Sequence, residues 1–164
     1  DVLCHALEGF WSKGHQPVCD ALALHACEIV FKYLRRAYKD PQDKEARAKM
    51  AEASVIAGLA FTLPKTTSSH ACSFPLTNLY HIPHGEACGL TLDCFARINA
   101  DTYALADAIH ELKVDLGLRL DLKDFNLTDE QVAELVKTSH HPNMLNNPVE
   151  ITDEILNEMY QSMR

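Results

Sequence analysis

An aspartate and a histidine with helical spacing open the chain. Asp1 and His5 are four residues apart, and in a helix this spacing places both side chains on one face, about one turn apart. A carboxylate and an imidazole placed in this way can share one metal ion. Alone, such a pair is more often a hydrogen-bonded pair on a helix surface, so further ligands are needed before it indicates a metal site.

Two more histidines stand where predicted segments begin. His70 follows the polar loop TLPKTTSS, and His84 lies in the turn IPHG, where a helix is predicted to start. Gly85 leaves room there for a ligand or for another stretch of backbone. Each histidine alone is typical of a structural role. Together with the first pair, however, they offer one oxygen and three nitrogens, a set that suits Fe(II) or Zn(II) with one position left for a substrate oxygen.

The elements that must position these side chains are helices almost throughout. Apolar residues recur at helical spacing and predict helices at 1–10, 18–38, 43–61, 70–81, 84–99, 101–116, 129–139 and after Thr152. Asp101 is a predicted N-cap, Thr128 with Gln131 fits a capping box, and Gly117 is a predicted helix stop. Pro75 must lie near a first turn or cause a kink. Period-2 alternation is confined to LRLDL (118–122), and HHPNMLNNP is a predicted loop, so the predicted fold class is all-α.

Composition narrows the class of partner. The 164 residues are 47% hydrophobic and 23% charged, with a formal net charge of -8, which argues against nucleic acid or an anionic membrane as a partner. No apolar run approaches the roughly 20 residues of a membrane span, and no signal peptide is visible. The six cysteines include no CxxC pair, so we expect buried thiols in a reducing, cytoplasmic setting.

The first residues read as the interior of a longer protein. The sequence opens on DVLCHALEG, already within an amphipathic pattern and without an initiator methionine. Natural N-termini usually carry a few dispensable residues first. We therefore expect residues 1–164 to be one helical metal-binding domain, taken from a longer chain.

The motifs around the four candidate ligands resemble those of iron-containing (group III) alcohol dehydrogenases. DVLCHALE resembles that family's Asp-x-x-x-His-Ala-x-Glu motif, and HACSFPLTNLYHIPHGEA resembles its second signature, in which two histidines are fourteen residues apart. The helical stretch between the motifs and the tail NNPVEIT match in order and spacing. The resemblance covers essentially the whole chain. It implies the helical bundle that forms the C-terminal domain of the dehydroquinate synthase-like fold.

The resemblance also implies a mechanism. Asp1, His5, His70 and His84 would hold Fe(II) or Zn(II), which acts as a Lewis acid on the oxygen of a small alcohol or aldehyde. Hydride would pass to or from NAD or NADP. That cofactor would be bound mainly by an N-terminal α/β domain of the same protein, and no Gly-rich turn after a strand is present in these residues. This half alone is therefore expected to be inactive, and relatives in the family suggest a possible homo-oligomer.

Three features depart from the family pattern. Many members carry a histidine four residues after the one matching His70, where this chain has Phe74, so a proton relay through that position is not expected. The loop KTTSS and the segment CSFPLTN also differ from common members, and they suggest an unusual substrate such as a small acidic aldehyde. Finally, a free α-amino group on Asp1 would place a positive charge beside a candidate ligand.

The other histidines are not predicted to be metal ligands. His25 lies on an apolar stripe and is interpreted as a core or interface residue; surface or supporting roles are assigned to His15, His81 and His110, whereas His140 and His141 lie in a predicted polar loop. Within the fold, resemblance extends to glycerol dehydrogenases, which use zinc with fewer ligands, and to maleylacetate reductases. An alternative of another class is a non-catalytic helical metal-binding or interaction module.

Overall fold

The computed structural model describes residues 1–100 and 103–164. These residues form eight α-helices and two short 3-10 helices, and no strand is found among them. The all-α prediction is therefore confirmed. The predicted N-cap at Asp101 lies outside the described residues. The chain divides into two compact units, Asp1–Thr66 and Thr67–Arg164.

The first unit consists of three helices that all pack against one another. They are α1 (Val2–Trp11), α2 (Pro17–Lys39) and α3 (Lys44–Phe61). Asp43 caps α3 by accepting a hydrogen bond from the backbone N–H of Ala46, which satisfies one of the donors left open at a helix start. The buried face of α3 is a stripe of small side chains, Ala46, Ala53, Ala57 and Ala60. Small side chains let neighbouring helix backbones approach closely.

The second unit contains the other five α-helices. They are α4 (Ser68–Tyr80), α5 (His84–Asn99), α6 (Ala104–Asp115), α7 (Asp129–Thr138) and α8 (Asp153–Met163); the 3-10 helices are Lys123–Phe125 and Pro142–Asn146. Helix α4 packs on α5, on α7 and on the second 3-10 helix, α5 packs on α6, and α7 packs on α8.

Helix boundaries in the second unit mostly follow the capping signals. The capping box of Thr128 and Gln131 is formed at the start of α7, and Thr152 accepts from the N–H of Ile155 at the start of α8. Gly117 adopts a positive φ of 63° just after α6, a backbone conformation that glycine takes without strain. These three predictions are confirmed.

Two local expectations need correction. Helix α4 begins at Ser68, inside the predicted loop; Pro75 lies in its interior, which leaves the predicted kink as the alternative to a first-turn position. The run 118–122 forms no strand, in agreement with the all-α prediction, and leads into the 3-10 helix Lys123–Phe125. The predicted loop HHPNMLNNP contains the second 3-10 helix, which Pro142 opens with its fixed φ.

Buried polar contacts fix the second unit internally. Lys113 and Asp93 are 4% and 7% exposed, and the Lys113 ammonium donates to the Asp93 carboxylate at 2.7 Å. The side-chain amides of Asn99 and Asn147 bond to each other twice, each at 2.9 Å. The second contact ties the segment after Pro142–Asn146 to the end of α5.

The cysteines are mostly buried thiols, as the sequence predicted. All six cysteines are thiols; five are buried and Cys94 is half-buried. None of the helices in the described part of the chain has the length and apolarity that a membrane crossing requires.

Candidate metal centre

The first candidate pair lies at the start of α1, in the first unit. The Asp1 carboxylate is 3.7 Å from Nδ1 of His5, one helical turn away. This distance exceeds a hydrogen bond, yet two ligands with metal bonds of about 2.0–2.2 Å can be separated by up to about 4.2 Å. The predicted spacing on one helix face is confirmed. Both side chains are partly exposed, so their oxygen and nitrogen atoms remain accessible to an ion.

An aromatic ring orients His5. The imidazole stacks on Phe61, the last residue of α3, with ring centroids 4.1 Å apart and planes 5° from parallel. The approach of α3 to α1 depends on Gly9, because a Cβ there would lie 3.3 Å from both Cα and Cβ of Phe61. A glycine one turn beyond His5 thus lets the phenyl ring reach the imidazole. The sequence alone did not indicate this contact.

The second candidate pair lies on two successive helices of the second unit. His70 is in the first turn of α4 and is buried, whereas His84 is the first residue of α5 and is exposed. Their rings are 5.4 Å apart between centroids, at 63° to each other. The connection between the helices is short. His81 ends α4 in the left-handed region with φ 56°, and Pro83 then precedes His84 with φ -52°.

A serine on α4 determines which nitrogen of His84 carries its proton. The hydroxyl of Ser73 is 2.7 Å from the carbonyl oxygen of His70 and 3.3 Å from Nδ1 of His84. A carbonyl can only accept, so the one hydroxyl hydrogen goes to His70 and the oxygen must accept from Nδ1–H of His84. The neutral ring then keeps its lone pair on Nε2, as a metal-ligating histidine requires.

A cysteine joins the two histidines of this unit. Cys88 is fully buried one turn after His84 on α5, and its Sγ is 3.7 Å from Nε2 of His84. One ligand atom from each of His70, His84 and Cys88 lies within 4.8 Å of the others. Sequence analysis did not include Cys88 among the candidate ligands. The signal was its spacing of four residues from His84, the same spacing that singled out Asp1 and His5.

Phe74 borders the histidine pair. Its ring is stacked with His84 at 6.3 Å between centroids and tilted against His141 at 4.6 Å. His141 begins the second 3-10 helix, and its Nδ1 accepts from the N–H of Asn143. The imidazole of His141, from a distant part of the sequence, therefore lies beside Phe74, whose own ring cannot carry a proton. Sequence analysis had placed His141 in an ordinary polar loop.

The remaining histidines lie apart from this cluster or pair with acids. His25 is 55% exposed and faces Glu28, so of the two predicted roles, core or interface, the core role is wrong and the interface role stays a prediction. His81 is exposed at the end of α4. His15 contacts the carboxylate of Asp20, His110 contacts that of Asp93, and His140 contacts that of Asp153.

Solved structures define the class of domain. The chain superimposes with a TM-score of 0.97 and 63% identity on a sulfoacetaldehyde reductase from Bifidobacterium kashiwanohense, solved with NAD+, covering 99% of this chain and 48% of that one. It matches an iron-containing alcohol dehydrogenase from Thermotoga maritima with a TM-score of 0.87 and 29% identity, over 99% of this chain and 47% of that chain. The helices therefore form a domain of the iron-type alcohol dehydrogenase fold.

Sequence comparison gives the family. Residues 1–105 match the C-terminal model of the Fe-containing alcohol dehydrogenase family, and alcohol dehydrogenase 4 of Saccharomyces cerevisiae is 29% identical over 94% of this chain and 46% of its own length. The chain belongs to the iron-containing alcohol dehydrogenase family, whose members among these relatives are oxidoreductases. It spans about half the length of the relatives it matches.

The donor atoms suit the metal in the family's name. The first unit offers a carboxylate and an imidazole one turn apart, and the second offers two imidazoles with a thiol beside them. Imidazole and carboxylate suit iron and zinc, and thiolate suits zinc. The residues present therefore fit an iron or zinc ion.

Proposed function

We propose that this chain is the metal-binding half of an NAD(P)-dependent oxidoreductase that interconverts a primary alcohol and an aldehyde by hydride transfer. The observation that carries the proposal is the 63% identity, over 99% of the chain, to a sulfoacetaldehyde reductase solved with NAD+. The nicotinamide nucleotide would be bound mainly by an α/β domain that precedes these helices in the complete protein.

The proposed ligands of the Fe(II) or Zn(II) ion are Asp1, His5, His70 and His84. Their support is the order and spacing of the two family motifs, together with the 3.7 Å approach within the first pair and the 5.4 Å ring separation in the second. When bound, the ion would supply Lewis-acid polarisation of the substrate oxygen.

The chain's own residues would hold this arrangement in place. Phe61 holds the ring plane of His5, and Ser73 holds His84 in the tautomer with Nε2 available. Phe74 supplies an apolar wall on one side of His84. Because Phe74 has no exchangeable proton, proton exchange on this side would fall to His141, which contacts it.

The substrate class follows from the same relative. The segment CSFPLTN, which departs from common family members, includes Ser73 and Phe74 beside His84. The sulfoacetaldehyde reductase shares 63% identity with this chain over 99% of its length. We therefore assign a two-carbon aldehyde with a strong acid group, such as sulfoacetaldehyde, as the substrate of the complete protein.

The test is a comparison of two aldehydes. The complete protein, loaded with zinc or iron, is assayed with NADH and NADPH on sulfoacetaldehyde and on propanal, an uncharged aldehyde of similar size. We expect a kcat/KM for sulfoacetaldehyde at least about tenfold higher, since a hydrogen bond to a charged group is worth about 1.5–3 kcal/mol. Equal values would remove the substrate assignment and leave the metal-dependent reaction in place.

Variants separate the metal site from the fold. His84→Ala should lower kcat/KM at least about a hundredfold, because Lewis-acid assistance contributes several kcal/mol. His25→Ala is the matched control: it also removes an imidazole, but from the exposed face of α2, and should leave turnover unchanged. Full turnover by His84→Ala would contradict the proposed ligand set.

A further inference from the structure

The backbone fixes which nitrogen of His141 carries a hydrogen. Nδ1 of this ring accepts a hydrogen bond of 3.2 Å from the backbone N–H of Asn143. An amide N–H can only donate, so Nδ1 must offer a lone pair, and the hydrogen of the neutral ring is on Nε2. That hydrogen is available both to the proposed proton exchange and as a donor to an acid group.

His141 lies near the proposed metal ligand His84 although the two are distant in sequence. The ring of His141 is 4.6 Å from that of Phe74, which in turn is 6.3 Å from that of His84. One phenyl ring therefore links the two imidazoles. A substrate whose oxygen lies at His84 needs to extend along only this ring for its other end to reach His141.

The surroundings of His141 suit an anion. The ring borders a pocket of about 260 Å³ whose described lining residues include no carboxylate. These residues are His140, His141, Pro142, Met144 and Leu145. The carboxylate of Asp153 accepts a hydrogen bond from Nε2 of His140 at 2.6 Å, so this acid already has a donor. Mostly apolar walls strengthen a hydrogen bond between an N–H and a charged acceptor.

We propose that His141 is a specificity-determining residue, which binds the acid group of the aldehyde substrate through its Nε2–H. The inference rests on the proposed function and deepens it, because it names the residue that recognises the sulfonate. Sulfonate oxygens carry the negative charge and only accept hydrogen bonds, so they match a nitrogen that donates. Hydrogen bonds to charged groups are stronger than those between neutral groups, and propanal has no charged group to offer.

Asparagine and glutamine separate the roles of the two ring nitrogens. In His141→Asn, the short side chain keeps an oxygen that can accept from the N–H of Asn143, but it leaves no donor at the position of Nε2. In His141→Gln, the longer side chain brings an N–H close to that position, and the acceptor for Asn143 is lost. Substrate binding and support of the 3-10 helix therefore predict opposite orders for the two variants.

The experiment measures kcat/KM of the metal-loaded complete protein for sulfoacetaldehyde and for propanal. The Kd of ethanesulfonate, a sulfonate without a carbonyl group, is a second readout that needs no turnover. His141→Asn should lose at least about tenfold in kcat/KM for sulfoacetaldehyde and in affinity for ethanesulfonate. It should keep the wild-type kcat/KM for propanal, and His141→Gln should retain most of all three values.

The matched control is His140→Asn, which removes the neighbouring imidazole of the same pocket and should leave the preference for sulfoacetaldehyde unchanged. The KM for NADH should also stay the same in His141→Asn. A raised KM for NADH with an unchanged Kd for ethanesulfonate would place His141 at a phosphate of the nucleotide, and this would overturn the inference.

The remaining outcomes distinguish this inference from the proposed function. If His141→Asn keeps the preference for sulfoacetaldehyde, or loses both aldehydes equally, the role of His141 is overturned while the proposed reaction stands. A larger loss in His141→Gln than in His141→Asn would indicate support of the 3-10 helix and would also overturn it. A wild-type protein that does not distinguish the two aldehydes would overturn the substrate assignment, and this inference with it.

Discussion

At the scale of single residues, a hydroxyl group governs the chemistry of His84. The hydroxyl of Ser73 donates its only hydrogen to the carbonyl of His70, so towards the imidazole of His84 it can only act as an acceptor. Such supporting contacts fix the tautomer and the ring orientation of a metal ligand. The role of Ser73 could not be predicted from the sequence, since it depends on the approach of α5 to α4.

Removal of this hydroxyl should weaken metal binding. Ser73→Ala is expected to lower zinc affinity about 10–100-fold, because the ring of His84 is then free to take the other tautomer. Ser162→Ala is the control, since Ser162 makes the same type of bond to the carbonyl three residues before it, in α8. Competition titration with a zinc chelator measures both variants, and equal affinities would show that Ser73 does not select the tautomer.

A second residue-scale prediction concerns the half-buried thiol of Cys94. Burial, with a smaller contribution from the charge of Asp93, raises the pKa of Cys94 to about 11. A raised pKa leaves less thiolate at any lower pH, and the thiolate is the reactive form. The alkylation rate of Cys94 by iodoacetamide should therefore rise about tenfold per pH unit between pH 8 and 10, as peptide mass spectrometry would show. A rate that levels off near pH 9 would contradict the raised pKa.

At the scale of elements, glycines in two helices of the first unit have different structural roles. A Cβ added at Gly9 would lie 3.3 Å from the backbone of Phe61, whereas one added at Gly58 meets nothing within 4 Å. The first glycine therefore serves packing between α1 and α3, and the second only weakens α3. The glycine that allows the close packing of these two helices therefore lies in α1 and not in the alanine-rich α3.

The two glycines form a matched test. Gly58→Ala should raise the free energy of unfolding by about 0.5–1 kcal/mol through helix propensity. Gly9→Ala should lower it by about 1–3 kcal/mol, since the backbone of Phe61 must move. Urea denaturation measures both. If Gly9→Ala stabilises the protein as much as Gly58→Ala does, the close approach of α1 and α3 is not tight.

The packing of α5 on α6 rests on a buried ion pair. Asp93→Asn would leave the buried Lys113 ammonium without a carboxylate, with only neutral acceptors such as the carbonyl of Leu90, and should cost about 3–5 kcal/mol. Lys113→Met should cost less, because Asp93 keeps its contact with the half-exposed His110. Glu52→Gln breaks an exposed pair with Lys49 and should change stability by at most about 1 kcal/mol. Equal losses for the first two variants in urea denaturation would contradict this ranking.

At the scale of the whole molecule, the chain covers about half of the yeast alcohol dehydrogenase 4 and of the sulfoacetaldehyde reductase that it matches. Hydride transfer needs the nicotinamide and the substrate in one cleft. We therefore expect residues 1–164 alone to bind zinc or iron without turnover, and the complete protein to turn over. Metal analysis and an NADH assay on both proteins provide the measurement. Turnover by the 164-residue chain would show that it carries a nucleotide site of its own.

The sequence predicted the helices better than the environment of the candidate ligands. Periodicity and caps are local, so the bounds of α5, the capping box of Thr128 and the stop at Gly117 followed from neighbouring residues. Contacts between distant segments were not predictable: His141 lies far from Phe74 in sequence, and only folding brings the two rings together. Cys88 could have been found, because its spacing from His84 is helical.

The short reversal between α4 and α5 has a consequence for how an ion is captured. His70 and His84 are fourteen residues apart, and the chain reverses within residues 81–83. The entropy cost of closing a loop grows with the length of the loop, so the cost of this short closure is small. The chain incurs it when α4 and α5 pack together, before any ion arrives. We therefore expect the two imidazoles to be in place before an ion binds. Binding of the proposed metal ion to this pair would then be limited by dehydration of the ion more than by ordering of the polypeptide.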